Sequence, residues 1–287
     1  MKPALFAAPP AASADPGAAR PAPAPAGPLA APIAFVVKTG AITAMEIRKL
    51  QHDPFDLVTR AVQPVLWLTV FGQVFGRLRA LPAGLGPYLD FLAPGVLAQS
   101  VIYIAIFQGI AVIWERDQGT LQKFLVSPTP RAALVLGKGL AAGVRGTTQA
   151  VTIFVLALIM GVNVRWDPLA LLGILGLVLL GGNFFATLSL VIAALVRSRE
   201  RVQGMGQLIT MPLFFASNAL YPIALMPGWV AVLAHCNPLS YMVDGLRTLM
   251  VVSGTSTLGL PLDFGVLLLA NAAIVALAAY LYPNVVR

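Results

Sequence analysis

Charge is scarce in this chain. Asp, Glu, Lys and Arg together make up 10% of its 287 residues, against about 25% in an ordinary soluble domain. So few charges cannot cover a water-facing surface, which excludes a soluble enzyme. Cysteine is nearly absent as well. Cys236 stands alone, so no internal disulfide and no cysteine-rich metal site can form. Histidine occurs twice, and His235 lies beside Cys236, but two ligands without others make no metal site. No phosphate-cradling Gly-x-x-x-x-Gly-Lys-Ser/Thr run occurs. Gly137-Lys138-Gly139 lacks both the first glycine at the right spacing and the hydroxyl. Nor is there a Gly-x-Ser-x-Gly, and Ser240 and His235 are five apart, so no nucleophile and base are placed for catalysis.

Hydrophobic residues fill the space, at 58% and a mean hydropathy of +0.84. The solvent implied is lipid. A helical span needs roughly 20 apolar residues, so the length accommodates six spans and no second large domain. The balance is basic, with 19 Lys and Arg against 11 Asp and Glu. The charges sit in short runs between apolar stretches, which fits membrane topology better than nucleic acid. The acids are nearly absent from the apolar stretches themselves. That argues against a proton- or sodium-coupled carrier, which places acids at the midplane.

Along the chain, residues 1–33 read as a disordered Ala/Pro-rich cytoplasmic tail, because proline removes donors and blocks helix. Pro3, Pro9 and Pro10 interrupt any signal-peptide core. Residues 34–287 read as one transmembrane domain. From Phe35 to Arg60, apolar residues mix with Lys38, Arg48 and Lys49, giving an N-terminal interfacial helix or a plain linker. The first span is expected from near Asp56 to Gly76, with Arg60 snorkelling. The second runs from Phe91 to Trp114, the third from Gly146 to Val164 and the fourth from Leu169 to Val196. A fifth is expected near Gly204 to Leu220, then a re-entrant or interfacial element, then a last span from Phe264 to Tyr282. With both termini cytoplasmic, 13 cations fall inside, Lys138 and Arg145 among them, and 4 outside (Arg77, Arg79, Arg165, Arg247), as the positive-inside rule requires.

The segment after the second span is short, charged at its start and stopped by prolines. Leu121 and Leu125 share a helix face, Gly119 lets the chain bend, and Thr120 can cap the helix that follows. Such a helix suits docking into a groove on a soluble partner, where Glu115 could meet a partner cation. A connecting loop with a surface helix is the other reading. Asp244 and Arg247, three apart, read as a local ion pair or as a contact to a polar part of a cargo. Phe71, Phe75, Tyr103, Phe107, Phe184, Phe185, Phe214 and Phe215 recur within the spans. They could line a path for a flat apolar or amphiphilic cargo, or pack and face lipid. Gly173, Gly176, Gly181 and Gly182 allow close helix approach in the fourth span.

Glu115, Arg116, Gly119, Thr120, Leu121, Leu125, Ser127 and Pro128 match the coupling-helix signature of the membrane subunits of type-2 ABC (ATP-binding cassette) exporters, with Asp117 where Glu is common. A second stretch, Pro227-Gly228-Trp229 followed by Asn237-Pro238-Leu239-Ser240-Tyr241 and Val243-Asp244-Gly245-Leu246-Arg247, resembles the run before that family's last span. The resemblance covers nearly everything from residue 35 onward and is nearest to the drug-resistance and nodulation-factor branch. It implies an all-α polytopic permease with a cytoplasmic coupling helix, driven by a separate ATPase that carries the ATP and Mg. It also implies a second membrane subunit, as a homodimer or with a related permease. The cargo expected is a drug or lipid-like molecule leaving the cytoplasm or inner leaflet of the cell membrane. Export of a glycan or lipid-linked glycan, or a non-transport membrane scaffold, are the alternatives.

Overall fold

Apolar runs in lipid have no water to satisfy their backbone groups, so each must bond within itself. The long runs here are helical. The computed structural model describes residues 30–50, 62–77, 87–119, 129–196 and 198–286. In chain order, α1 is Ala30–Leu50. Residues 62–66 are helical and lead through a π-helical turn, Trp67–Phe71, into α2, Gly72–Arg77. Then come α3 (Tyr88–Asp117), α4 (Arg131–Ile159), α5 (Pro168–Val196) and α6 (Arg199–Phe215). A 3-10 turn, Ile223–Leu225, precedes α7 (Gly228–Cys236), α8 (Pro238–Met250) and α9 (Leu260–Val286). Among the described residues there is no strand, and the one β-bridge pairs Val164 with Val251.

Four of these helices, α3, α4, α5 and the Leu260–Tyr282 part of α9, are long and apolar enough to cross a membrane. Of the six expected spans, four are therefore met on length and composition. The fifth expected span is α6, which has 17 residues and begins at Arg199 rather than Gly204. Part of the first expected span lies outside the described residues. Two boundaries move outward. The helix expected to be interfacial begins at Ala30, inside what reads as tail. The third span begins at Arg131 rather than Gly146, so Lys138 and Arg145 lie on a helix and not in a loop.

Helix α5 is the centre, packed by α3, α4 and α9. It crosses α4 at two glycines, where a Cβ on Gly182 would stand 2.6 Å from the Gly143 Cα. Backbones this close gain dispersion contacts that larger residues would prevent. An amide pair binds α5 to α9: Asn183 Nδ2 donates to Asn271 Oδ1 at 2.6 Å, and Asn271 Nδ2 donates to the Leu180 carbonyl at 3.0 Å. Helix α8 is buried among α3, α5 and α9, with Leu239, Met242, Val243 and Leu246 in the core. Helix α7 is largely exposed at Trp229 and Val232.

The helices share two ends. At one, the last turn of α3 meets the start of α6 through Arg199 and Asp117. At the other, Tyr88 at the start of α3 donates to the Leu220 carbonyl, and the 162–164 stretch meets residues 250–252.

Candidate functional site

The last turn of α3 leads straight into the expected coupling segment, and its charges are held by other helices. Glu115 Oε2 accepts from Lys138 Nζ of α4 at 2.5 Å, and the same ammonium reaches Glu46 Oε1 of α1 at 3.2 Å. The Glu115 side chain is 12% exposed. Its counter-ion is thus supplied by this chain, where the sequence suggested a partner's cation. Asp117 binds Arg116 at 3.0 Å and Arg199 of α6 at 2.7 Å. The Arg199 guanidinium also lies 4.1 Å over the Trp114 ring, an attraction of a cation to the ring quadrupole. Gly119 then turns the chain with φ +71°, a left-handed conformation that side chains resist. Thr120, Leu121, Leu125 and Pro128 lie outside the described residues.

The aromatic residues fall into three groups rather than one path. Trp67, Phe71, Phe75, Tyr88 and Phe91 form a stacked run with neighbouring centroids 4.3 to 6.4 Å apart. Phe214 meets Trp67 edge-on, and Phe215 meets Phe214. Tyr103 and Phe107 form a second, exposed group on α3. Phe184 and Phe185 form the third, and Phe185 is buried in the core of α5. A groove between residues 62–77, α3 and α6 joins the first two groups. Tyr103, Phe107 and Phe214 line it together with the amides Gln63, Gln99, Gln203 and Gln207. No sequence motif singles out these glutamines as a set. Gln203 and Gln207 stand four apart, which places them on one helix face, so half of the set had a periodic signal.

The far end holds the second stretch. Asn237 caps α8 by accepting from the Leu239 amide at 3.0 Å, and Pro238 fills the first helical position, where no donor is needed. Asn237 Nδ2 also donates to the Leu213 carbonyl of α6 at 2.6 Å. Tyr241 donates its hydroxyl to the His235 carbonyl at 2.7 Å. Asp244 and Arg247 make no ion pair with each other. Asp244 instead accepts from the Ser256 and Thr257 hydroxyls, each at 2.7 Å, and from the Thr257 and Leu258 amides at 2.9 and 3.0 Å. Arg247 donates to the Asn218 carbonyl at 2.7 Å and lies 3.7 Å over the Phe91 ring. Four dispersed donors satisfy a carboxylate more completely than one partner three residues away. Arg247, Asp90, Asn218 and Thr257 line a cavity of about 210 Å³. Asn237, Pro238, Tyr241 and Asp244 therefore build the element, while Arg247 also faces open space.

Among the described residues, no group of three His, Cys, Asp or Glu could hold a metal ion.

Known proteins are similar to this chain in sequence. Over 237 residues, the chain is 26% identical to a daunorubicin resistance ABC transporter permease protein, DrrB1, of Streptomyces coeruleorubidus, covering 83% of this chain and 81% of that protein. It is 28% identical over 198 residues to nodulation protein J of Rhizobium leguminosarum bv. trifolii, covering 68% and 74%. It is 27% identical over 207 residues to nodulation protein J of Rhizobium meliloti (strain 1021), covering 71% and 78%. Residues 38–251 match the family described as ABC-2 type transporter. That match takes in α2 to α8 and most of α1, with both the expected coupling segment and the Asn237-to-Arg247 element, and on it this chain belongs to the ABC-2 type transporter family, as a transmembrane permease component.

Proposed function

We propose that this chain is the permease subunit of an ATP-driven exporter that moves hydrophobic or amphiphilic molecules out of the cytoplasm or inner leaflet of the cell membrane. It spans six times with both termini cytoplasmic and works as a pair of membrane subunits. A separate ABC ATPase binds ATP and Mg and docks on the segment from Glu115 to Pro128. The observation that carries this reading is the anchoring of the last α3 turn. Glu115 and Asp117 fix it to α1, α4 and α6 at once, so a push on the following segment reaches several helices as one rigid displacement.

The groove of Tyr103, Phe107 and Phe214 supports the cargo class. Its walls are mainly aromatic and aliphatic, and its glutamines are neutral donors and acceptors, which suits a molecule with a flat apolar body and a few polar groups. The drug-resistance permease among its relatives supports the same class. Phe184 and Phe185 do not line this groove, and Phe185 packs in the core.

The test is ATP-driven uptake of a fluorescent planar amphiphile, such as an anthracycline, into inverted vesicles holding this chain and its partner ABC ATPase. Accumulation that needs both proteins and ATP is expected. Absence of accumulation for every amphiphile tried, with the two proteins stably associated, would sink the exporter reading and favour the scaffold.

A further inference from the structure

Lys138, between Gly137 and Gly139, is the most deeply buried cation among the described residues. The Lys138 side chain is 1% exposed. Its ammonium holds two carboxylates, Glu46 Oε1 of α1 at 3.2 Å and Glu115 Oε2 of α3 at 2.5 Å. The other oxygen of Glu46 lies 3.8 Å from the Arg145 guanidinium, so two cations and two anions share one pocket. Tyr282, buried near the end of α9, lies within electrostatic reach of both carboxylates.

The glycines explain how α4 admits this. A Cβ at Gly137 would stand 2.7 Å from Ile42 Cβ on α1. A Cβ at Gly139 would collide with the Asn183 amide on α5. With both side chains removed, α1 and α5 close over α4 on either side of the ammonium. Well-packed apolar residues would be at least as stable as these buried charges, and the best-attested use of buried ionic groups is registry or switching. The location fits that use. Glu115 stands on the last turn of α3, just before Gly119, where the coupling segment departs.

We propose that Lys138 is the positioning residue that passes movement of the coupling segment to α1. One ammonium ties the last turn of α3 to α1, so the two helices shift together when the segment moves. This rests on the exporter reading. The surface pair of Asp117 with Arg199 provides a separate link to α6, and the experiment separates the two.

The full chain with its ATPase is measured in vesicles as Lys138→Met and Lys138→Arg, reading ATP hydrolysed and anthracycline transported. Lys138→Met is expected to keep ATPase retention and hydrolysis within about twofold, while transport per ATP falls about tenfold, within the range of coupling mutations. Lys138→Arg keeps the charge and is expected to recover most of that ratio. An unchanged ratio in Lys138→Met overturns the proposal, whether transport is normal (coupling then runs through Asp117 and Arg199) or falls in step with the amount of folded protein.

A second measurement needs no ATPase. Thermal unfolding of the detergent-purified full chain is compared for Lys138→Met, Glu46→Gln and the double variant. The double variant is expected to melt close to Lys138→Met, because both changes break one unit. Additive losses would show that no shared ammonium exists. That result stands even if wild-type vesicles show no ATP-driven uptake, which would count against the exporter reading instead.

Discussion

Asn237 satisfies groups on two helices at once: its carbonyl oxygen takes the Leu239 amide of α8, and its amide supplies the Leu213 carbonyl of α6. Asn237→Ala removes a cap, at about 1 kcal/mol, and strands a carbonyl, at about 1 to 3 kcal/mol. Asn237→Asp keeps the cap and loses only the donor. Thermal unfolding in detergent should rank wild type above Asp and Asp above Ala, and equal melting of all three would show that neither bond matters. Asn followed by Pro is a candidate N-cap followed by a first helical residue, although from the sequence Asn237 had only a place in the re-entrant element. The role of Asp244 was not legible. Its spacing from Arg247 suggested an ion pair, but its partners are Ser256, Thr257 and Leu258, on a loop whose fold no local pattern announces. Lys138 was misread for the same reason. A lone cation between glycines belongs in a loop unless acids are brought to it. Here Glu46 comes from 92 residues away and Glu115 from 23.

At the scale of the helix, apolar length was a sound guide wherever no charge intervened. The fourth span was expected from Leu169 to Val196 and α5 is Pro168–Val196. The third was expected to start at Gly146 and α4 starts at Arg131, because Lys138 and Arg145 looked incompatible with a buried helix. The glycines of the fourth span were read as sites of close approach, and they are, to different degrees. At Gly182 a Cβ would lie 2.6 Å from the Gly143 Cα, so the α4 and α5 backbones would have to separate. At Gly176 it would lie 3.4 Å from the Phe264 ring, an ordinary contact. Gly182→Val should therefore cost at least the 1 to 3 kcal/mol typical of overpacking, as an order of magnitude, and lower the monodisperse yield on size-exclusion chromatography. Gly176→Ala should be near neutral, since about 1 kcal/mol of helix propensity favours it. Equal yields from the two variants would mean that this crossing does not limit folding. The grouping of the aromatics was not legible at this scale. Periodicity reports a helix face, not which helix that face meets.

For the whole molecule, the segregation of charge between the two helix ends bears on orientation. Arg116, Arg199 and Arg201 lie at the end where α3 finishes and α6 begins, and Arg165 lies at the other. Single cysteines at Gln118, Glu200 and Arg165, in a chain with the exposed Cys236 replaced, should label from the cytoplasm, the cytoplasm and outside respectively. Labelling of 118 and 200 from opposite faces would dismantle the six-span arrangement. The same end must receive the ATPase if the exporter reading holds. The last turn of α3 and helix α4, which flank residues 120–128 in the sequence, are tied together by Glu115 and Lys138. In a helical segment Leu121 and Leu125, four apart in the sequence, would share the apolar face that a docking groove takes. Leu121→Asp sets a carboxylate into that groove, at a cost on the order of 3 kcal/mol or more while it stays unpaired. More than a hundredfold weaker association follows from such a cost, at about tenfold per 1.4 kcal/mol. Export should be abolished and co-purification of the ATPase reduced, while membrane insertion and the melting temperature of the chain itself stay near wild type. Normal export with normal ATPase retention would place the docking contact on another surface.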